Sequence, residues 1–131
     1  MLKISGKKPD SLGVKGDKLS KCSWKPNCVC SCYHDDPDHF IEPINSRKPL
    51  ESTWAELITM INEDKSAKTV TQSEHYLHIE FSSSLLGFVD DVEFLAAAED
   101  QVIHVRSASR LGVRDFGVNR KRIEAIRTHL S

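Results

Sequence analysis

The chain has 131 residues, of which 39% are hydrophobic and 28% are charged. This length and composition are typical of one ordinary globular domain, long enough to bury a modest core without disulfide staples. No apolar run approaches the ~20 residues that a helix needs to cross a bilayer, which excludes an evident membrane span. We therefore expect one soluble domain over residues 1–131.

The net charge of −1 conceals an uneven distribution. Residues 1–26 carry seven lysines and two aspartates, whereas residues 33–103 carry fifteen acidic side chains and four basic ones. Residues 104–131 again have an excess of basic side chains, seven against two acidic. The basic ends either attract an anionic partner or neutralise the acidic middle of the same fold, and we favour neutralisation. A small anion or a protein remains open as a partner, but a nucleic acid is not expected, because the basic residues lack interleaved aromatics.

The N-terminal segment contains basic residues but no apolar stretch of the kind found in a signal peptide. If Met1 is the natural start, we expect a cytoplasmic protein.

Residues 1–50 are predicted to form a long irregular arm. All five prolines precede residue 50, and proline both removes a backbone donor and restricts the residue before it. Apolar residues spaced along the arm are expected to hold it against the core: Leu12, Val14, Leu19, Trp24, Phe40 and Ile41.

Residues 51–131 show regular periodicity. Thr53 and Glu56 have the spacing of a capping box, and the apolar residues after Thr53 predict a helix of about three turns. Four strands are predicted next, at Thr69–Glu74, Tyr76–Ser83, Phe88–Ala97 and Val102–Ser107. A final helix is predicted from about Asn119.

The predicted fold class is α+β, with an arm followed by the order α-β-β-β-β-α. The strands form a two-layer, four-stranded antiparallel meander, and both helices pack on its apolar face. The other face is predicted to be exposed to water, with opposite charges that stabilise it: His78, Glu80, Asp91, Glu93, His104 and Arg106.

Several strings resemble the DUF1499 family of small bacterial and plant-type proteins. They are Leu12-Gly13-Val14, Cys22 with Pro26-Asn27-Cys28-Val29, Gly87 to Phe94, and Arg106 to Val113 followed by Asp115 to Ile123. The resemblance covers nearly the whole chain but implies no activity, because the family has none established, and whether the protein is an enzyme stays open. Where the family usually continues with serines, this chain has Cys30-Ser31-Cys32.

All four cysteines, Cys22, Cys28, Cys30 and Cys32, lie within eleven positions. Three interpretations remain open. The first, which we favour, is reduced thiols, some buried as small apolar side chains. The second is a site for zinc or another soft metal, although Cys-x-Cys spacing fits such a site poorly. The third is redox chemistry, or a disulfide between Cys22 and Cys28 across a turn at Pro26-Asn27. No cofactor is expected if the first interpretation holds.

Basic side chains at the start of the last helix are unusual, because the helix dipole disfavours cations there. We expect either an internal ion-pair network with the acidic third strand or a bound anion, and we favour the network. The candidate ligand-binding residues are Asp90, Asp91, Glu93, Arg106, Arg110, Arg114, Asn119, Arg120 and Arg122.

The preferred functional hypothesis is a non-catalytic binding or accessory domain whose ligand surface contains this arginine-rich loop and helix start. The alternative is a metal- or thiol-dependent protein that uses the Cys22–Cys32 cluster.

Overall fold

Helices and antiparallel strands make up about half of the chain in a computed structural model that describes residues 6–83 and 87–131. The helices are α1, Leu50–Glu63, and α2, Val118–Leu130. The strands are β1, Val14–Lys15; β2, Lys18–Leu19; β3, Cys28–Cys30; β4, Ala67–Gln72; β5, Tyr76–Ser82; β6, Val89–Ala97; and β7, Val102–Ser109. The α+β class is confirmed, and no described helix is long and apolar enough to cross a bilayer.

The main sheet has five strands rather than the predicted four, in the order β3-β7-β6-β5-β4. The additional strand comes from the arm, where β3 pairs antiparallel with β7 and Cys28 lies opposite Ala108. Pairing satisfies backbone groups that β7 would otherwise expose at the sheet edge. The arm also contains a separate two-stranded sheet, β1-β2, so the prediction of an irregular arm was wrong for these segments.

Helix α1 begins at Leu50, three residues before the predicted cap. Pro49 is its N-cap and supplies no side-chain hydrogen bond. Thr53 lies inside the helix, where it is buried and its hydroxyl donates to the Pro49 carbonyl oxygen at 3.4 Å. Glu56 forms an ion pair with Lys48 instead of reaching back to a cap. The capping-box prediction was therefore wrong.

The main hydrophobic core lies between the two helices and one face of the sheet. Helix α1 contributes Trp54, Leu57 and Ile61, which repeat at helical spacing. The other buried members come from the sheet, the arm and α2: Val29, Ile41, Ile44, Leu77, Ile79, Phe81, Val92, Phe94, Ile103, Val105, Ile123, Ile126 and Leu130.

The opposite face of the sheet is covered by the arm, so the prediction of a water-exposed face was wrong. Leu19 is fully buried there, in a second apolar cluster with the four cysteines and Leu95. The covered face includes four polar or charged residues that were expected in water: His78, Asp91, Glu93 and Arg106. Trp24 and Val14, expected to hold the arm down, are instead 75% and 39% exposed.

Candidate ligand-binding cleft and its ion-pair network

Arg110 joins the acidic residues of two neighbouring strands. Strand pairing places Glu80 opposite Asp91. Arg110 donates from Nε to Asp91 Oδ2 at 2.7 Å and from Nη2 to Glu80 Oε2 at 2.8 Å. His78 Nε2 lies 2.7 Å from the other side of the Asp91 carboxylate, at Oδ1. Burial alone would raise the pKa of Asp91, but the hydrogen bonds from His78 and Arg110 outweigh burial and lower it.

His78, Glu80 and Asp91 also have the composition of a metal site, since three of their ligand atoms lie within 4.8 Å of one another. Arg110, however, already donates to the carboxylates of both acidic residues. A cation would have to displace that guanidinium, so the group is better explained as part of the ion-pair network.

Arg122 is the centre of a second set of contacts, at the start of α2. It donates from Nη2 to Asp90 Oδ2 at 2.6 Å and from Nη1 to Asn119 Oδ1 at 2.8 Å. Its guanidinium carbon lies 5.0 Å from the centre of the Phe81 ring. Fully buried Asn119 continues the set by donating to the Asn27 carbonyl oxygen at 3.1 Å. These contacts attach α2 to both the sheet and the arm.

Arg106 and Glu93 form a third, fully covered pair. Arg106 Nη1 lies 3.7 Å from Glu93 Oε1, too far for a hydrogen bond, and neither atom has another partner among the described residues. The remaining Glu93 oxygen accepts from the Tyr76 hydroxyl at 2.5 Å and from the Gly13 amide at 2.8 Å. Burial, together with the nearby Glu93 carboxylate, raises the pKa of Tyr76. The arm therefore helps to satisfy a buried acid on β6.

The cations at the start of α2 are offset by an acid just before it. Gly117 occupies the N-cap with a φ of 79° and has no side chain to cap the helix. The Asp115 carboxylate caps the helix instead, accepting from the Gly117 amide at 2.9 Å and from the Asn119 amide at 3.1 Å. Burial would raise the pKa of Asp115, but the hydrogen bonds from Asn119 lower it. Arg120 points elsewhere and donates to the Phe40 carbonyl oxygen at 3.0 Å.

All but one of the candidate ligand-binding residues thus have partners within the fold. The exception is Arg114, which is exposed and has no ion-pair or side-chain hydrogen-bond partner among residues 6–83 and 87–131. The structure contains the internal network that sequence reasoning favoured, and the role of these residues toward a ligand stays a prediction.

A cleft of about 650 Å³ lies beside Arg114, between the end of α1, the sheet and the segment leading into α2. Its lining is mostly apolar, and four of its large apolar side chains are substantially exposed: Phe88, Leu111, Phe116 and Val118. Phe116 is 87% exposed and has a φ of 55°, which is uncommon for a residue other than glycine. Sequence reasoning missed this cleft, although apolar residues interspersed with the arginines and glycines of residues 110–118 were a signal for it.

Residues 18–130 match a family model described as a protein of unknown function, DUF1499. The chain belongs to the DUF1499 family. The expected resemblance is confirmed, and the match includes the cleft and the ion pairs but begins after β1. No curated protein and no solved structure gives a significant match.

The cysteines of this DUF1499 chain divide into two pairs. Cys22 and Cys28 are joined by a disulfide, so the favoured interpretation of reduced thiols was wrong for this pair. Cys30 and Cys32 are free and buried, as that interpretation expected. The described cysteines do not form a group of three or more closely spaced metal ligands. A metal site formed by all four thiolates would require the Cys22–Cys28 disulfide to be reduced, so such a site would belong to the reduced protein.

Proposed function

We propose that the protein is a binding domain for a small amphipathic molecule with an apolar body and an acidic head group. The observation that supports this proposal is the mostly apolar cleft of about 650 Å³ with Arg114 in its lining. Cavities of roughly 300–1,000 Å³ lined by apolar groups and a few polar ones are typical of small-molecule sites.

The apolar body is inferred from the exposed side chains of the cleft. Phe116 is 87% exposed and Val118 46%, and both line the same cleft as Phe88 and Leu111. Several large apolar groups that are exposed together keep apolar surface in contact with water. A ligand that covers this surface removes it from water, and that burial favours binding.

The acidic head group is inferred from the charged side chains that line the cleft. Asp90 is paired with Arg122, Asp115 caps α2, and Asp64 accepts from Ser66. Within the described part of the chain, this leaves Arg114 as the cleft's charged side chain without a partner. A carboxylate or a similar anion would supply that partner. The anion predicted from sequence would therefore contact one arginine beside the cleft, because the other arginines already have internal partners.

Binding is proposed rather than catalysis because of the side chains that line the cleft. Among the described residues, the lining contains no histidine and no cysteine, and its acidic side chains are already engaged. The described lining also has four serines, Ser66, Ser82, Ser83 and Ser109, but no histidine to activate a hydroxyl. Such a lining provides shape and charge but no activated nucleophile.

Isothermal titration with decanoate and with decanol tests the proposal. Val118→Asp should weaken binding of both probes about tenfold, because it places a charge in the apolar lining. Such a loss corresponds to roughly 1.4 kcal/mol. Val113→Asp is the matched control, since Val113 is 45% exposed but does not line the cleft. Equal effects of the two variants, or no binding of either probe to the unaltered protein, would contradict the proposal.

Arg114→Gln tests the head group separately. The substitution should weaken the binding of decanoate about two- to fivefold, as expected for one exposed ion pair, and leave the binding of decanol unchanged. Lys121→Gln removes the same charge from an exposed side chain that is not in the lining, so decanoate binding should be unaffected. If both substitutions weaken decanoate binding equally, Arg114 acts only through the overall electrostatic field of the protein.

A further inference from the structure

A second cavity, of about 400 Å³, lies on the face of the sheet that the arm covers. Its lining includes Cys32 from the arm and His104 from β7. Cys32 is 8% exposed, so its side chain is nearly enclosed but reaches the cavity. The other charged or titratable groups of the lining are Asp17, Lys18, His75, Glu99 and Asp100.

The His104 ring is held in place beside the Cys32 thiol. Its Nδ1 lies 2.8 Å from the Ser31 hydroxyl, which itself accepts from the Val105 amide at 2.8 Å. Cys32 and His104 line the same cavity, and each shifts the pKa of the other. With Nδ1 engaged by Ser31, Nε2 is the ring nitrogen left for exchange of a proton with the thiol.

Cys30 is the second thiol of the group. It is buried, its sulfur lies 3.6 Å from the Ser20 carbonyl oxygen, and it belongs to the same apolar cluster as Cys32. Strand β3 ends at Cys30 and the chain bends at Ser31 and Cys32. Alpha carbons two residues apart are separated by about 7 Å at most, and a bend shortens that distance into the range of a disulfide.

These surroundings distribute charge unequally between the two thiols. The neighbouring Cys30 thiol lowers the pKa of Cys32, burial opposes this, and His104 adds to the lowering. The pKa of Cys30 is raised by its contact with Cys32 and by burial. The pKa of His104 is raised in turn, chiefly by Cys32. The further groups that act on these three side chains are Lys18, Tyr33, Asp100 and Arg106.

We propose that Cys32 and Cys30 are a redox-active dithiol that reduces small disulfides, with Cys32 as the attacking thiolate and Cys30 as the resolving thiol. Two adjacent thiols, a histidine and an adjoining cavity are the parts that this reaction needs. The Cys22–Cys28 disulfide lies in the same apolar cluster but is already oxidised, so it is not the reducing pair.

The reaction balances with a disulfide RSSR as the oxidant. The Cys32 thiolate attacks one sulfur of RSSR, forming a Cys32–SR bond and releasing RS⁻, which takes the proton of the His104 imidazolium. Cys30 then attacks the Cys32 sulfur, forming the Cys30–Cys32 disulfide. Its proton goes to the second RS⁻. Two electrons and two protons pass to RSSR, which leaves as two RSH molecules.

Intact-protein mass spectrometry with glutathione disulfide tests the assignment. The unaltered chain should lose two hydrogens and carry no adduct. Cys30→Ser should stop at a stable glutathione adduct on Cys32, because the resolving thiol is missing, whereas Cys32→Ser should form no adduct. An adduct on Cys30 in Cys32→Ser at a comparable rate, or no adduct in Cys30→Ser, would overturn the proposal.

The pH dependence of iodoacetamide alkylation at Cys32 in the unaltered chain, mapped by peptide mass spectrometry, provides a second readout. An ordinary thiol gains about seventyfold in rate between pH 6 and pH 8 as it ionises. Cys32 beside His104 should change less than about threefold over this range. His104→Gln should make the dependence steeper, because it removes one of the groups that lower the pKa of Cys32. His75→Gln should not, because His75 lines the cavity without being a partner identified for Cys32. A steep profile at Cys32 in the unaltered chain would contradict its role as the attacking thiolate, and equal profiles with and without His104 would contradict the role given to His104.

Discussion

Asp91 is a carboxylate with 1% exposure that is held by two partners of different chemistry, Arg110 and His78. Replacing it by Asn leaves Arg110 with Glu80 as its remaining acidic partner. Since a buried charge that loses its partner is costly, we expect Asp91→Asn to lower the free energy of unfolding by about 3 kcal/mol. Urea unfolding at neutral pH measures the loss.

Glu124→Gln is the matched control, because the Glu124–Arg127 pair has the same kind of contact with a 52% exposed acid. Exposed pairs contribute little, so this variant should unfold nearly as the unaltered chain does. Equal losses in the two variants would show that burial of the network contributes nothing to stability.

The stability difference between Asp91→Asn and the unaltered chain should also depend on pH. The folded state lowers the pKa of Asp91 below its ordinary value of 3.8. Its contribution is therefore fully present well above that value and is lost as the pH falls through the lower, folded pKa. The difference should be constant near neutrality and should narrow below about pH 4. A difference that widens in acid would contradict the assigned direction of the shift.

At the scale of elements, the arm replaces solvent over one face of the sheet. Leu19 of β2 is fully buried there, while the Gly13 amide and the Ser20 carbonyl oxygen bind Glu93 and Arg106. The arm thus supplies both apolar contact and partners for buried charges, which makes it part of the fold.

Leu19→Ala tests this role. Deleting a fully buried leucine side chain removes apolar burial and leaves a cavity, so we expect a loss of about 2–5 kcal/mol in urea unfolding. Trp24→Ala is the control from the same arm, because its side chain is 75% exposed and its loss should cost little. If Leu19→Ala is as stable as Trp24→Ala, the arm is only loosely attached in solution.

At the scale of the whole molecule, the state of the cysteines distinguishes the interpretations made from sequence. We expect two free thiols in protein unfolded without reductant and four after reduction, as the Cys22–Cys28 disulfide implies. Elemental analysis should then find no stoichiometric zinc. Four free thiols together with one equivalent of zinc would instead support a metal site at Cys22, Cys28, Cys30 and Cys32.

Local periodicity was sufficient to predict much of the body of the domain. The alternation of Leu77, Ile79 and Phe81 predicted β5, and the spacing of Ile123 and Ile126 predicted the buried side of α2. Side-chain direction in a strand or helix follows from backbone geometry over a few residues, so these features can be read from short segments.

Long-range contacts determined how the arm covers the sheet and which partners the charged side chains have. Short segments do not encode these contacts. A polar strand face has the same pattern whether water or a covering arm lies over it, so Glu93 gave no sign that its partner is Gly13, 80 positions away. Likewise, the sequence favoured ion pairs between the arginines near the start of α2 and the acidic strand, but only the packed structure pairs Arg122 with Asp90 and leaves Arg114 beside a cleft. Sequence by itself determined the elements and their apolar sides. The tertiary structure decided which charges are neutralised internally, because neutralisation depends on distances between side chains that the chain brings together only when it folds.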